Sequence, residues 1–265
     1  GYLMLRTVTA TRYVVPLREG GSLPAVVEAD DDGMYVLKFR GAGQGVKSLI
    51  AELVAGEIAR ALGLRMPELV FMELDNSFSQ TEPDEEIQDL LKFSVGLNLG
   101  LHYLPGSITY DPVVSLAEPL EASKVVILDS LITNIDRTAR NTNLLNWNKK
   151  LWLIDHGASL YFHHNWKTWE GHLSRTFPFV KEHVLLKKAN HLTEATQEIQ
   201  SLVNEDVINE IVNSIPENWL EEENNRQEVE ENEITVEFKR KAYVAFLMSR
   251  LSNIERLAKE ASDAR

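Results

Sequence analysis

The amino-acid sequence predicts an α+β chain in which a strand-rich first part is followed by a helix-rich second part. Short runs of β-branched and aromatic residues dominate the first hundred positions, and helical patterns dominate beyond His163. Two short apolar strands, separated by a polar turn, stand between these regions. A chain of 265 residues can bury a substantial core and suits one large domain or two small lobes.

Three strands are predicted first. Thr7–Val15 is rich in β-branched residues, and Ala25–Ala29 and Met34–Phe39 flank a turn of three Asp and one Gly. A glycine-containing loop, Arg18–Pro24, connects the first two strands. These features predict a small antiparallel sheet at the start of the chain.

One strong helix follows the sheet. Leu49–Leu62 consists mainly of good helix formers and is stopped by Gly63. Met66–Leu74 is typical of another strand, and Asn76–Glu86 is typical of a polar loop. Asp89–Leu104 is expected to form a strand or mixed structure. The first lobe is therefore expected over residues 1–104.

The second lobe is expected over residues 105–265. Ser123–Thr133 has a long helical pattern, and the last helix is predicted near Glu237–Lys259. Between them, Asn143–Trp147 and Leu151–Ile154 read as the two arms of a hairpin.

The charge and composition exclude several classes of function. The 27 Lys and Arg against 40 Asp and Glu give a net charge of −13, which argues against generic nucleic-acid or anionic-membrane binding. The absence of Cys excludes disulfides and thiol catalysis. The longest apolar runs, such as Val125–Leu128, are too short to span a membrane, and the first residues lack a secretory pattern. A cytoplasmic protein is expected.

Much of the negative charge lies in one segment. Residues Glu217–Glu233 contain eight Glu and one Arg. Such a run is typical of a solvated connector, and a docking role is the alternative.

A group of polar residues brackets the predicted hairpin. Asp136 and Asn141 lie just before its first arm, and Asp155 directly follows its second arm. Because a hairpin folds the chain back on itself, we expect these three side chains to converge at one end. Two carboxylates and a carboxamide, with a nearby Lys, make an oxygen-rich site suited to Mg²⁺ and phosphate. The alternative is that Asp and Asn here only build turns.

A single cation stands in an apolar strand of the first lobe. Lys38 shares a face with Val36 if the strand alternates strictly, and a buried Lys requires a partner. Glu52 and Glu57 on the following helix are both candidates. A helical wheel places Glu52 among small residues and Glu57 among larger apolar ones, which leaves the choice open. One of the two glutamates is expected to be only a surface charge.

The order of these features resembles a known family. The chain resembles the HipA-like kinases in the order of five features. These are a Gly-Gly-Ser loop, a strand with Lys38, a helix with Glu52, an Asp136-x₄-Asn141 motif and an Asp-His-Gly at Asp155. The HipA-like kinases are themselves similar to the phosphatidylinositol 3-/4-kinases. The resemblance implies a two-lobed protein-kinase-like fold, with a small antiparallel-sheet N-lobe, a helical C-lobe and ATP between them.

The resemblance also implies roles for individual residues. Lys38 would contact the ATP phosphates, and Glu52 would hold it, since Glu52 has the family's spacing of eleven residues to Gly63. Asp136 would be the catalytic base. The remaining residues would contact Mg²⁺, namely Asn141 and Asp155, or cover the phosphates, namely Gly20, Gly21 and Ser22.

Several departures from ordinary protein kinases point toward the HipA and lipid-kinase branch. Asn134-Ile135-Asp136 and Asp155-His156-Gly157 replace the His-Arg-Asp and Asp-Phe-Gly of ordinary protein kinases, and no Ala-Pro-Glu follows. We expect the additional N-terminal subdomain of the toxin members to be absent, so antitoxin pairing and operator binding are not carried over. Analogy with those toxin kinases gives only weak support for autophosphorylation at Ser22.

The function implied is ATP- and Mg²⁺-dependent transfer of the γ-phosphoryl group to a hydroxyl, with Ser or Thr of a protein favoured as acceptor. The alternatives are a small-molecule or lipid kinase, a non-catalytic binding module, and adenylyl transfer. Arg137 and Arg140 would either bind a substrate anion or pair with acids of the second lobe. The sequence favours neither alternative over the other.

Overall fold

The first lobe is built on five strands that close into a barrel. The structure, a computed structural model, describes residues 4–17, 24–43, 45–221 and 234–265. The strands are β1 (Thr7–Pro16), β2 (Ala25–Ala29), β3 (Met34–Lys38), β4 (Leu69–Leu74) and β5 (Gly96–His102). They are joined in the order β1-β2-β3-β5-β4, and β4 pairs back onto β1.

The closing pair corrects the predicted antiparallel sheet. Residues Thr7–Thr9 of β1 pair in parallel with Phe71–Glu73 of β4, whereas the other neighbouring strands are antiparallel. Register shifts in β1, between Ala10 and Arg12 and again between Tyr13 and Val15, bend the strand along its length. The bent strand contacts β2 along one part and β4 along another, which removes the free edges that an open sheet would have.

Two helices accompany the barrel. Helix α1 (Val46–Ala61) is buried on nearly every side and is followed by Gly63, whose φ of 75° forms the left-handed turn after the helix. Helix α2 (Glu85–Phe93) replaces the loop and strand predicted there. Asp84 caps α2 by accepting hydrogen bonds from the backbone N–H groups of Glu86 and Ile87, a cap signal that our interpretation of the sequence missed.

The second lobe contains the predicted hairpin and helices. Strands β7 (Leu144–Trp147) and β8 (Lys150–Leu153) pair in antiparallel fashion, and β6 (Ile108–Thr109) adds a third strand beside β7. The helices of this lobe are α3 (Pro119–Leu131), α4 (Leu192–Leu202), α5 (Glu205–Asn213), α6 (Val236–Ser252) and α7 (Ile254–Ala264). Between β8 and α4 the chain forms only short 3₁₀ turns.

One apolar cluster extends through both lobes, and a second, smaller one fills the barrel. Buried residues of α1 belong to the same cluster as those of α3 and α6. Trp219 is fully buried, its indole N–H donates to the carbonyl of Leu97 at 2.9 Å, and its ring packs edge-on against Phe71. The predicted acidic connector therefore begins as a packed helical segment, residues 217–221, and residues 222–233 lie outside the described part.

No helix among the described residues is both long and apolar enough to cross a membrane.

Candidate active site

Three elements bring charged groups together where the lobes meet. Lys38 is the last residue of β3, Glu52 lies in the middle of α1, and Asp155 follows β8. The Nζ of Lys38 donates a hydrogen bond to the Oδ1 of Asp155, and the two side chains keep 17% and 32% of their surface exposed. We call Lys38, Glu52 and Asp155 the cleft cluster.

Glu52 is the buried member of the cleft cluster. Its exposure is 2%, and its carboxylate accepts a hydrogen bond from the backbone N–H of His156. Its Oε1 has no hydrogen-bond partner among the described residues. Burial raises the pKa of Glu52 to about 7; the charge of Lys38 opposes this rise and that of Asp155 adds to it. Burial would also raise the pKa of Asp155, but Lys38 holds it below its usual value.

A glycine allows the turn after β8 to lie against α1. A Cβ on Gly157 would stand 2.9 Å from the Oγ of Ser48 and 3.8 Å from the Oε2 of Glu52. Asp155 itself adopts a left-handed φ of 56°. The Asp-His-Gly turn is therefore shaped by contact with the helix that carries Glu52.

Glu57, the other candidate partner of Lys38, is also buried at 2% exposure. Its Oε2 accepts hydrogen bonds from Arg60 at 2.7 and 3.0 Å. The expectation that one of the two glutamates is a surface charge was wrong.

Asp136 lies in a group of carboxamides. The Nδ2 of Asn141 donates to both carboxylate oxygens of Asp136 at 3.2 Å. The Nδ2 of Asn143 donates to the backbone carbonyl of Asp136 at 2.5 Å and to its Oδ2 at 3.3 Å. Asn134 accepts from the backbone N–H of Asp136 at 3.1 Å. Asn143 and Asn134 were missed as site residues, although both lie within the asparagine-rich run of the sequence.

The hairpin brings the two halves of the site to one end, as its pattern predicts. Leu144 is paired with Leu153, and the backbone N–H of Ile154 donates to the carbonyl of Asn143 at 3.1 Å. Asn141 and Asp155 therefore leave the same end of the hairpin. Their side chains and the Asp136 carboxylate supply oxygen atoms only, the ligand type preferred by hard cations such as Mg²⁺.

Arg137 is buried and paired with an acid of the second lobe. It is 1% exposed, and its Nε donates to the Oδ2 of Asp129 at 2.7 Å. Of the two roles considered for Arg137, the structure places it in the second, that of pairing with an acid of the second lobe. Arg140 is exposed, and no described residue forms a hydrogen bond or ion pair with its side chain.

Asp129 is the centre of a buried polar group. Besides Arg137, it accepts a hydrogen bond from the Nε2 of His183 at 2.6 Å and one from the Nδ2 of Asn134 at 3.3 Å. Burial would raise the pKa of Asp129, but Arg137 and His183 hold it well below its usual value. We call Asp129, Arg137 and His183 the buried cluster.

His156 connects the two clusters. Arginine can only donate, so the Nδ1 of His156 accepts the 3.0 Å hydrogen bond from the Nη2 of Arg137. Burial, together with the nearby charge of Arg137, lowers the pKa of His156 to about 3. The middle residue of Asp-His-Gly is therefore a neutral imidazole.

Trp166, Trp169 and His163 pack against the core of the second lobe, whereas the predicted phosphate loop lies outside the described residues. Trp166 and Trp169 both pack edge-on against Phe238, and the Nδ1 of His163 lies 2.8 Å from the hydroxyl of Tyr243. In the part of the chain that the structure describes, no three His, Asp or Glu side chains form a metal-binding group. Gly20, Gly21 and Ser22, predicted to cover the phosphates, fall outside the described residues.

Comparison with known proteins adds a family and a fold. The family model described as HipA-like kinase matches residues 12–249. A search of curated protein sequences finds no match.

Two solved structures resemble the chain over most of its length. The proinflammatory kinase CtkA of Helicobacter pylori aligns with a TM-score of 0.56 and 13% identity, covering 95% of this chain and 98% of the other. A Golgi casein kinase with Mn and ADP bound aligns with a TM-score of 0.52 and 14% identity, covering 99% of this chain and 74% of the other. At such low identity these likenesses concern the fold alone, which is kinase-like.

Proposed function

The chain belongs to the HipA-like kinase family, and from that premise we propose that it transfers the γ-phosphoryl group of ATP to a hydroxyl of a protein Ser or Thr, with Mg²⁺ as the metal. The observation that carries the proposal is the convergence of Lys38, Glu52 and Asp155 with the Asp136–Asn141 pair around one end of the hairpin. Phosphoryl transfer requires these parts, namely a cation for phosphate, oxygen ligands for a metal and a carboxylate for the attacking hydroxyl.

The residues present fit a divalent metal. Asn141 directs its Nδ2 at Asp136, which leaves the carboxamide Oδ1 available as a ligand. Asp155 is kept ionised by Lys38, and its second oxygen completes an oxygen-only donor set. Mg²⁺ held by Asn141 and Asp155 would neutralise phosphate charge during transfer.

Lys38 and Glu52 form the part of the site that is proposed to bind the ATP phosphates. Lys38 is bonded to Asp155, while none of the described residues forms a hydrogen bond with the buried Oε1 of Glu52. An unpaired buried carboxylate oxygen is costly, and a shift of the Lys38 ammonium towards Glu52 would satisfy it. We infer that nucleotide binding frees Asp155 for the metal and leaves Lys38 between Glu52 and the phosphates.

In the proposed reaction, Asp136 contacts the hydroxyl that accepts the phosphoryl group. Its two oxygens are oriented by Asn141 and Asn143, and the residue remains partly exposed, so a hydroxyl can approach it. In the proposed step the hydroxyl oxygen forms a bond to the γ-phosphorus, the bond to the ADP leaving oxygen breaks, and Asp136 accepts the hydroxyl proton.

A labelled-ATP assay tests the proposal. Purified protein is incubated with γ-labelled ATP and Mg²⁺, with dephosphorylated casein as a test acceptor, and label on casein, on the chain itself and in free phosphate is measured. We expect Asp136→Asn to abolish transfer while retaining nucleotide binding, and Asp155→Ala to weaken binding of Mg²⁺-ATP. Asp263→Asn, at an exposed position of α7, is the matched control and should behave as wild type. Full transfer by both site variants would refute the assignment.

The acceptor is tested separately. Label on Ser or Thr, identified by mass spectrometry, supports a protein kinase, whereas label found only on an added metabolite or lipid supports the alternatives. A non-catalytic module would show neither transfer nor Mg²⁺-dependent thermal stabilisation by ATP.

A further inference from the structure

One guanidinium connects both halves of the proposed site. All five N–H groups of Arg137 are directed at acceptors. Its Nε and Nη2 reach the two oxygens of Asp129 at 2.7 and 3.4 Å, and Nη2 also reaches His156. Its Nη1 donates to the carbonyl of Asn143 at 2.5 Å and to that of Ile154 at 3.2 Å.

Each of these contacts adjoins a residue with a proposed role. Arg137 directly follows Asp136, Ile154 directly precedes Asp155, and His156 directly follows it. Asn143, whose carbonyl Arg137 holds, also donates to the carboxylate of Asp136. The planar guanidinium therefore fixes the position of the Asp136 loop relative to the Asp155 turn.

The same cluster also anchors the chain beyond the Asp-His-Gly turn. The Nε2–H of His183 donates to Asp129, the backbone N–H of Val184 donates to the carbonyl of Arg137 at 3.0 Å, and Thr138 forms a β-bridge with His183. The Nδ1 of His183 accepts from the backbone N–H of Leu185 at 3.0 Å, so both ring nitrogens are used. The segment that leaves the site at Gly157 thus returns to it at His183.

We propose that Arg137 is a positioning residue for phosphoryl transfer, held by Asp129 and His183, which sets the separation of Asp136 and Asp155. The proposal rests on the proposed function for its effect on turnover. A lysine at this position would keep the charge that Asp129 requires, but it has three donors on one atom and no planar fork. It therefore cannot hold the carbonyls of Asn143 and Ile154 in the same plane as Asp129.

Arg137→Lys tests the proposal against a matched control, Arg250→Lys. Arg250 is equally buried at 1% exposure, but it donates to the carbonyls of Ser130, Leu131 and Arg175. Within the described part of the chain it forms no hydrogen bond or ion pair with a side chain of the buried cluster. Mn²⁺ affinity in the presence of ADP is measured by electron paramagnetic resonance, and ATP turnover is measured by release of labelled phosphate. Thermal unfolding reports stability.

We expect Arg137→Lys to weaken Mn²⁺ binding and to lower turnover, each by about 10–100-fold. The affinity for ADP without metal should stay near that of wild type. Arg250→Lys should be destabilised to a similar degree and should keep both the Mn²⁺ affinity and the turnover. Wild-type values in Arg137→Lys, or equal losses in the two variants, would overturn the proposal.

A second pair of variants covers the case in which Arg137→Lys does not fold. His183→Gln keeps an N–H directed at Asp129, and His183→Ala does not. We expect Mn²⁺ affinity to fall in His183→Ala and to recover in His183→Gln; equal affinities in both would overturn the proposal. If wild type binds Mn²⁺ and ADP but transfers no phosphoryl group, the proposed function fails, while the Mn²⁺ affinities still decide the role of Arg137.

Discussion

The cleft cluster and the buried cluster contain the same kinds of charge in opposite settings. In the cleft cluster, Lys38 and Asp155 are paired across two lobes, partly exposed, beside a Glu52 oxygen that has no partner. In the buried cluster, Arg137 and Asp129 are fully enclosed, and every donor of Arg137 is directed at an acceptor.

The difference indicates which charges can move. A partly exposed ion pair contributes little to stability and can be exchanged for another partner, whereas a buried, fully bonded pair is costly to disturb. The chain therefore places its exchangeable charges where nucleotide and metal are proposed to bind. It places its fixed charges directly behind them, where they hold the geometry.

The largest expected effect is on the buried cluster. Asp129→Ala leaves Arg137 charged and without its carboxylate partner, so the free energy of unfolding should fall by about 3–5 kcal/mol. Urea unfolding followed by circular dichroism measures this change. A loss below about 1 kcal/mol, typical of a surface pair, would remove the distinction between the two clusters.

A smaller loss is expected where the Asp-His-Gly turn contacts α1. Gly157→Ala places a Cβ 2.9 Å from the Oγ of Ser48, and the overlap should cost about 1–3 kcal/mol. Removing that oxygen in the double variant Ser48→Ala/Gly157→Ala should recover most of the loss. Unchanged stability in the single variant would show that the turn is not constrained by α1.

A pH effect is expected at His163, a buried histidine outside both clusters. Burial, with the charges of His164, Lys47 and Lys239, holds its pKa well below 6.5 in the folded chain. Below pH 6.5 the unfolded chain therefore binds a proton that the folded chain does not, and stability falls as the pH falls. His163→Asn should lessen this slope by up to about 1.4 kcal/mol per pH unit. Equal slopes for wild type and variant between pH 6.5 and 5 would contradict the assignment.

The smallest effect on stability is expected for the cleft cluster. Lys38→Met removes a partly exposed pair, so the free energy of unfolding should change by only about 0–1 kcal/mol. Transfer of labelled phosphate should nevertheless be lost. A large loss of stability with retained transfer would reverse the proposed division between exchangeable and fixed charges.

Local patterns predicted the parts of the fold that depend on neighbouring residues. The hairpin, α1 with its Gly63 stop and the Asp136–Asn141 motif are all encoded within short segments. The parallel pairing of β1 with β4 was not predictable in this way, because it joins strands separated by about sixty residues with no signal in either. No pattern in the sequence indicates the bulges that bend β1 either.

In the candidate site, too, contacts between residues far apart in the sequence were not predictable. Lys38, Glu52 and Asp155 were identified by motif order, but the bond from Lys38 to Asp155 depends on how the two lobes pack. Asp129 and His183 were missed because they lie 54 residues apart and neither belongs to a motif. The available signal was an Asp in the apolar second half of a helix, since a buried Asp requires a partner.

The most direct measurement is a crystal structure of the chain with ADP and Mn²⁺ bound. We predict that Lys38 has left Asp155 and lies between Glu52 and the phosphates, that Asn141 and Asp155 hold the metal, and that the contacts of Arg137 are unchanged. Nucleotide bound with Lys38 still paired to Asp155, or a metal held by other residues, would contradict it.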